Sequence, residues 1–185
     1  MPDDPKIRQA TPADAGAVVE TLHEAARWLE REGRAMWKVD ELDPGRTASD
    51  VGAGLFLLAE QAGDPAGVMK FQLEDPVFWP DVHLGDAAYV HRLAVRRKYA
   101  GTGVSKRLLG WAVVRTRALG RRYLRLDCEA SRPRLRSFYE SFGFRYHSDK
   151  HVGPYHVSRY ELDVTGGGPR PGRDPHEAGP PTLSP

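Results

Sequence analysis

The sequence predicts an α/β domain built on one sheet with mixed strand pairing. Apolar runs of strand length are interleaved with segments of helical periodicity, but without strict strand-helix alternation. Two strand-like runs lie back to back across Gly63-Asp64, a hairpin signal that requires antiparallel pairing. At 185 residues and 40% hydrophobic content, the chain is one globular domain plus ends, with enough length for a real core.

Lys6–Gln9 reads as a first strand. Thr11-Pro12-Ala13-Asp14 then opens a helix, with a hydroxyl cap and a proline in the first turn. Val18, Val19, Leu22, Ala26 and Leu29 continue it at helical spacing until Gly33. A second, short helix lies within Pro44–Gly52, and Leu55–Glu60 and Ala66–Leu73 are the hairpin strands. Asp75–Asp86, which holds Phe78-Trp79-Pro80, is an irregular connection. Ala88–Val95 is a strand, Val104–Leu119 a helix closed by Gly120, and Tyr123–Cys128 the next strand. Ser131-Arg132-Pro133 starts a helix that runs through Phe142 and stops at Gly143. Phe144–His147 and His156–Leu162 complete the set as strands. The domain is expected over residues 1–164. Residues 166–185 hold eleven Gly or Pro in twenty, too little apolar surface to offset chain entropy, so 165–185 reads as a disordered tail.

The single cysteine, Cys128, excludes an internal disulfide framework and a Cys-built zinc cluster, and reads as a small core residue. His147, His151 and His156 lack tight ligand spacing on one element, so no metal is expected. No apolar run follows Met1-Pro2-Asp3-Asp4, and none approaches the ~18 residues of a membrane span, so a cytoplasmic location is expected. The net charge of +2 conceals a polarised chain: residues 1–89 carry eight cations against seventeen carboxylates, whereas 90–126 carry eleven Lys or Arg and no carboxylate.

That basic stretch centres on Val90-His91-Arg92-Leu93-Ala94-Val95-Arg96-Arg97-Lys98-Tyr99-Ala100-Gly101-Thr102-Gly103-Val104-Ser105. A strand, a glycine-punctuated turn and a helix N-terminus in that order make an anion site. Unpaired backbone amides converge there and the helix dipole adds positive potential. Glycines at 101 and 103 let the backbone curl and a phosphate approach. A solvated basic helix would explain the charge but not the turn, so a polyanionic ligand is expected.

The same residues resemble the acetyl-CoA motif of the GCN5-related N-acetyltransferases, the GNAT family: Leu93-Ala94-Val95, then Lys98-x-x-Gly101-x-Gly103. Leu124-Arg125-Leu126-Asp127, followed by Phe138-Tyr139-Glu140-Ser141-Phe142-Gly143-Phe144, resembles the family's second signature. The order of elements fits from about residue 5 to residue 163. The resemblance implies a mainly antiparallel sheet with a central strand splay, flanked by about four helices. It also implies an acetyl-CoA-dependent N-acetyltransferase in which an amine attacks the thioester directly. The pantetheine arm would lie in the splay against the backbone of Leu93, Ala94 and Val95. The pyrophosphate would sit on the turn from Tyr99, Ala100, Gly101, Thr102 and Gly103 to Val104 and Ser105. Two positions depart from the family pattern. Lys98 stands where Arg or Gln is usual and lacks a planar fork. Arg132 stands where Asn often contacts pantetheine, and could reach a phosphate instead.

Tyr139 matches the family position that protonates the leaving thiolate; the other reading is a core tyrosine. His91 is the candidate base, since histidine titrates in the useful range; the other reading is a core or surface histidine. Strict strand alternation would place Tyr89, His91, Leu93 and Val95 on one face. Glu129 is the rival base, or a solvated strand-end carboxylate, with Asp127 expected to face away from it in a structural role. Met36, Trp37, Phe78, Trp79, Tyr89, Tyr155 and His156 are candidate acceptor-pocket residues. Aromatic walls with an acidic first half would suit a cationic small amine; the tryptophans could equally cover the core.

A small-molecule amine is therefore the expected partner, with a homodimer a further expectation. A protein lysine or N-terminus as acceptor, and a non-catalytic acyl-CoA-binding module, are the alternatives. Nucleic-acid binding is disfavoured by the acidic flanks and the lack of a matching motif.

Overall fold

The computed structural model describes residues 4–35, 37 and 41–166, so Met36 and the tail beyond 166 lie outside the described residues. In chain order the elements are β1 (Lys6–Gln9), α1 (Ala15–Arg31), α2 (Pro44–Gly52), β2 (Phe56–Gln61), β3 (Asp64–Gln72) and β4 (Ala87–Val95). Then come α3 (Val104–Ala118), β5 (Tyr123–Glu129), α4 (Pro133–Phe142), β6 (Arg145–Val152) and β7 (Tyr155–Asp163). The seven strands form one sheet in the order β1-β2-β3-β4-β5-β7-β6. Every neighbouring pair is antiparallel except β4 and β5. No helix among the described residues is long and apolar enough to cross a membrane.

Local chemistry starts the helices where the sequence indicates. Thr11 and Asp14 form a capping box ahead of α1, whose Val18, Leu22 and Ala26 turn inward. The Asp43 carboxylate accepts from the Arg46 amide at 2.6 Å and caps α2, with Pro44 in its first turn. Alternation along the strands then splits the apolar residues between two faces. Leu57, Met69, Val90, Leu124 and Leu126 pack under α3 and α4. Phe56, Leu58 and Val68 pack under α1 and α2.

The alternation expected across β4 fails at one place. His91 is opposite Lys70 and Ala94 is opposite Val68, so β4 carries one residue more than β3 between these pairs. The extra residue makes a β-bulge at Arg92, whose φ is +52°. Ala87 and Tyr89 therefore face away from the α3–α4 core, whereas Leu93 and Val95, beyond the bulge, pack against it. Tyr89 and His91 do not share a face with Leu93.

β6 is longer than the sequence suggests. Its run Arg-Tyr-His-Ser-Asp-Lys-His-Val is polar on both faces because it is an edge strand, and Gly153-Pro154 turns it into β7. The connection between β3 and β4 folds back over the sheet and buries Trp79 to 1% exposure. The indole packs on Tyr89 at 6.2 Å and His147 at 5.1 Å, between the guanidiniums of Arg125 at 5.1 Å and Arg159 at 4.7 Å. Neither Trp79 nor Tyr89 reaches an open pocket; both seal the sheet. Trp79→Ala should accordingly cost about 3–5 kcal/mol of unfolding free energy in urea titrations, the cost of a large core aromatic.

Candidate active site

The parallel pairing of β4 with β5 covers only Ala87–Val90 against Tyr123–Leu126. Past those residues β4 keeps only β3 and β5 keeps only β7, so the two strands splay. Among the described residues, the β5-facing backbone edge of β4 from His91 to Val95 has no strand beside it. An unpaired edge inside a protein is a ready template for an extended, amide-bearing ligand. The splay opens into a cavity of about 830 Å³. Leu93, Ala94 and Val95 form its floor, Leu135 and Phe138 of α4 one wall, and Trp28 and Leu29 of α1 the other. Trp37 lines it as well.

At one end of the floor stands the glycine turn. Gly101 and Gly103 have φ of +80° and +90°, and no atom lies within 4 Å of where a Cβ would sit on either. Gly103 is the N-cap of α3 and no side chain caps the helix, so its first amides lack intrahelical acceptors and point outward. The Thr102 hydroxyl donates to the Tyr99 carbonyl at 2.7 Å, and the Tyr99 hydroxyl to the Gln61 carbonyl at 3.2 Å. Gly67 seats the helix: a Cβ there would lie 2.8 Å from Val104 Cγ1. Lys98 projects outside the turn, where it pairs with Asp64 at 2.6 Å. Arg97, which the sequence reading missed, lines the cavity, with its guanidinium 3.9 Å from the Trp28 ring centroid.

Arg132 and Glu129 both line the cavity but are committed to each other, at 2.9 Å. Arg132 also donates to the carbonyls of Arg34 and Ala35, and so ties the end of α1 to the start of α4. Its fork is engaged by these groups in this structure. Burial favours protonation of Glu129, but bonds from Arg132 and Ser131 outweigh it and hold the carboxyl below its usual range.

At the apex of the splay, where the strands part, three side chains converge. His91 Nε2 lies 3.2 Å from Asp75 Oδ2, and Nδ1 lies 3.8 Å from Asp127 Oδ1. Asp75 comes from the β3–β4 connection and was absent from the sequence-based candidates. Its other oxygen accepts from the amides of Val77 and Phe78 at 3.2 and 3.0 Å. Asp75 Oδ2, His91 Nε2 and Asp127 Oδ1 are buried and make no aligned hydrogen bond. Asp127 shares a face with Glu129, as a period of two demands, and looks onto His91; the expectation that it faces away from Glu129 is corrected.

The two carboxylates flank this imidazole differently. Burial opposes ionisation of Asp75, but His91 and the two amides outweigh it and hold the carboxyl below its usual range. Burial pushes Asp127 up to about 6; His91 opposes the rise and the Asp75 charge adds to it. Among the described residues these three are the group whose ligand atoms, all within 4.8 Å of one another, could hold a metal ion. As placed, the carboxylates face opposite ring nitrogens, whose lone pairs diverge, which suits a chain of proton-sharing groups better than a single ion.

A pH signature follows. The folded chain retains the Asp127 proton between about pH 4 and 6, where the unfolded chain has released it, so stability falls as pH rises through that window. Asp127→Asn should be more stable than the wild type by about 2–3 kcal/mol at pH 7.5, with no advantage below pH 4, in urea titrations at both pH values.

Tyr139 of α4 is 7% exposed, with its ring against Phe138 at 5.4 Å and Phe144 at 5.9 Å. Burial, then the neighbouring Cys128 and Asp127, push its phenol up, so it stays an O–H donor. Cys128 is buried, and burial followed by Asp127 pushes its thiol up to about 12. Tyr155 is 40% exposed at the start of β7, and burial, then Glu41, push its phenol up.

This fold and groove define an N-acetyltransferase that draws on an acyl-CoA donor. The chain belongs to the Acetyltransferase (GNAT) family, which it matches over residues 22–144. It is 29% identical over 160 residues to the N-acetyltransferase YesJ of Bacillus subtilis strain 168, covering 82% of this chain and 86% of that protein. A GNAT acetyltransferase structure from Listeria monocytogenes 4b F2365 superimposes with a TM-score of 0.72 at 28% identity, covering 85% of this chain and 95% of that one. The Salmonella typhimurium yncA structure, which holds its cofactor acetyl-CoA, shares the fold with a TM-score of 0.67 at 18% identity, covering 94% and 99%. The open glycine turn, the uncapped helix and the unpaired strand edge fit a donor of this kind in the present chain.

Proposed function

We propose that this protein acetylates the primary amine of a small molecule by direct attack within a ternary complex, with His91 as the base. The observation that carries this reading is the buried Asp75–His91–Asp127 chain at the apex of the splay. Acetyl-CoA, when bound, supplies the activated acyl group. The amides from Gly101 to Ser105 hold its pyrophosphate, and the free edge of Leu93 to Val95 orients the arm that follows. Asp75, 3.2 Å from Nε2 of His91, favours the proton on that nitrogen and so leaves Nδ1 as the atom that takes the amine proton. Tyr139 holds the proton for the departing sulfur. Glu129, bound to Arg132, is the poorer base. Trp37, Tyr155 and Phe78, whose ring centroid lies 6.4 Å from that of His91, give the acceptor side an aromatic wall suited to a small molecule.

Calorimetric titration with acetyl-CoA, followed by thiol release across small amines and lysine peptides, tests this reading. Tight binding with turnover on small amines, unchanged by EDTA, is the expected result. Turnover on peptides alone overturns the small-molecule acceptor. Binding without turnover on either overturns the catalytic roles, and no binding overturns the groove assignment.

A further inference from the structure

Arg92 is a cation placed where the backbone is least comfortable. Among the described residues only it and Ala62 hold a positive φ without being glycine. Its half-buried side chain makes no hydrogen bond or ion pair among the described residues. Its guanidinium lies 5.8 Å from the ring centroid of Trp37, a cavity-lining residue. The charge of a second cation, Arg46 of α2, opposes its own, while those of Asp50 and Glu41 favour it. Asp50 is already bound to Lys70 at 2.7 Å, and Glu41 acts on the Tyr155 phenol. Burial first, then Arg46, make the Arg92 charge less favourable than usual. A desolvated guanidinium beside a like charge is costly unless an anion repays it.

The bulge brings this cation to the base. His91 and Arg92 are consecutive, with Cα atoms about 3.8 Å apart. The register partner of His91, Lys70, reaches Asp50 of α2, whose charge also acts on Arg92. Arg92 is thus the strand residue next to any amine held at His91, and Trp37 links its guanidinium to the cavity wall.

We infer that the acceptor is an amine that also carries a carboxylate, an amino acid in chemical terms, with its amine at His91 and its carboxylate on Arg92 beside Arg46. The planar guanidinium matches a carboxylate through two parallel N–H···O bonds. The zwitterion replaces the purely cationic amine that the acidic first half of the chain suggests. This inference deepens the proposed function and rests on it.

The test is thiol release with matched pairs, each amino acid beside the amine formed by its decarboxylation, with an aminophosphonate as a third member. The best amino acid should exceed its decarboxylated partner in kcat/KM by about 100-fold, the loss expected when a charge-assisted two-bond contact is missing. Arg92→Met should bring that ratio to within about threefold, and Arg92→Lys, which keeps the charge but loses the fork, should cut it about tenfold. Arg46→Ala leaves the bulge intact and should also cut the ratio about tenfold. Turnover of decarboxylated amines equal to or above that of amino acids overturns the inference while the acetyltransferase reading stands. Preference for the aminophosphonate overturns the carboxylate. Equal losses on both members in all three variants assign the arginines to structure and overturn it too. Acetyl-CoA binding with no turnover on any amine removes the proposed function and this inference together.

Discussion

Alanine in place of His91 should lower kcat for amine acetylation by about 10²–10⁴-fold, the range contributed by a positioned general base, while acetyl-CoA affinity stays near that of the wild type. The asymmetry is expected because His91 lies beyond the last paired residues of β4 and β5 and faces Asp75 and Asp127, whereas the donor groove is floored by Leu93 to Val95 across the bulge. Asp75→Asn separates positioning from packing. Asparagine keeps the shape and the bonds from Val77 and Phe78, but its amide can present N–H to Nε2 and favour the wrong tautomer. We expect kcat to fall by about 10²-fold or more with the KM for acetyl-CoA unchanged. Stopped-flow or steady-state thiol release resolves the split. A loss confined to KM would remove His91 from proton transfer, and wild-type kcat in Asp75→Asn would leave Asp75 with only its turn to hold.

Gly103→Glu should weaken acetyl-CoA binding by about 100-fold or more with the fold retained, because it sets a carboxylate against bound phosphates and forces a side chain into the left-handed region. The open space around the missing Cβ means that no neighbouring residue is displaced, so the damage is confined to what binds there. Backbone strain alone costs about 1–2 kcal/mol, which a melting curve would register as a modest shift. Calorimetry on the same sample should show the far larger loss in affinity. Wild-type affinity in the variant would mean that the turn holds no phosphate.

The elements were legible because their signals are local. Proline and capping residues start α1 and α2, the glycine turn starts α3, and the apolar runs of β2 to β5 bury both faces. The packing of Tyr139 against Phe138 and Phe144 follows from the apolar spacing of α4. The bulge at Arg92 was not, since a left-handed residue is usually flagged by glycine or asparagine and here is an arginine. Asp75 escaped notice because its approach to His91 depends on the path of the connection that follows it, not on spacing. Trp79 stood among aromatics that could have lined a pocket. Its burial is decided by Arg125 and Arg159, which lie on strands remote in sequence. The pairing of Arg132 with Glu129 three residues earlier was not legible either, because it depends on where the strand ends.

The buried state of Cys128 has a practical side. It is the only cysteine of the chain, and its protonated, enclosed sulfur offers no thiolate to an electrophile at neutral pH. A disulfide reagent added during turnover would thus report the sulfhydryl of released CoA against a silent protein background. A cysteine placed anywhere on the surface would likewise be the sole target for a spin label or fluorophore.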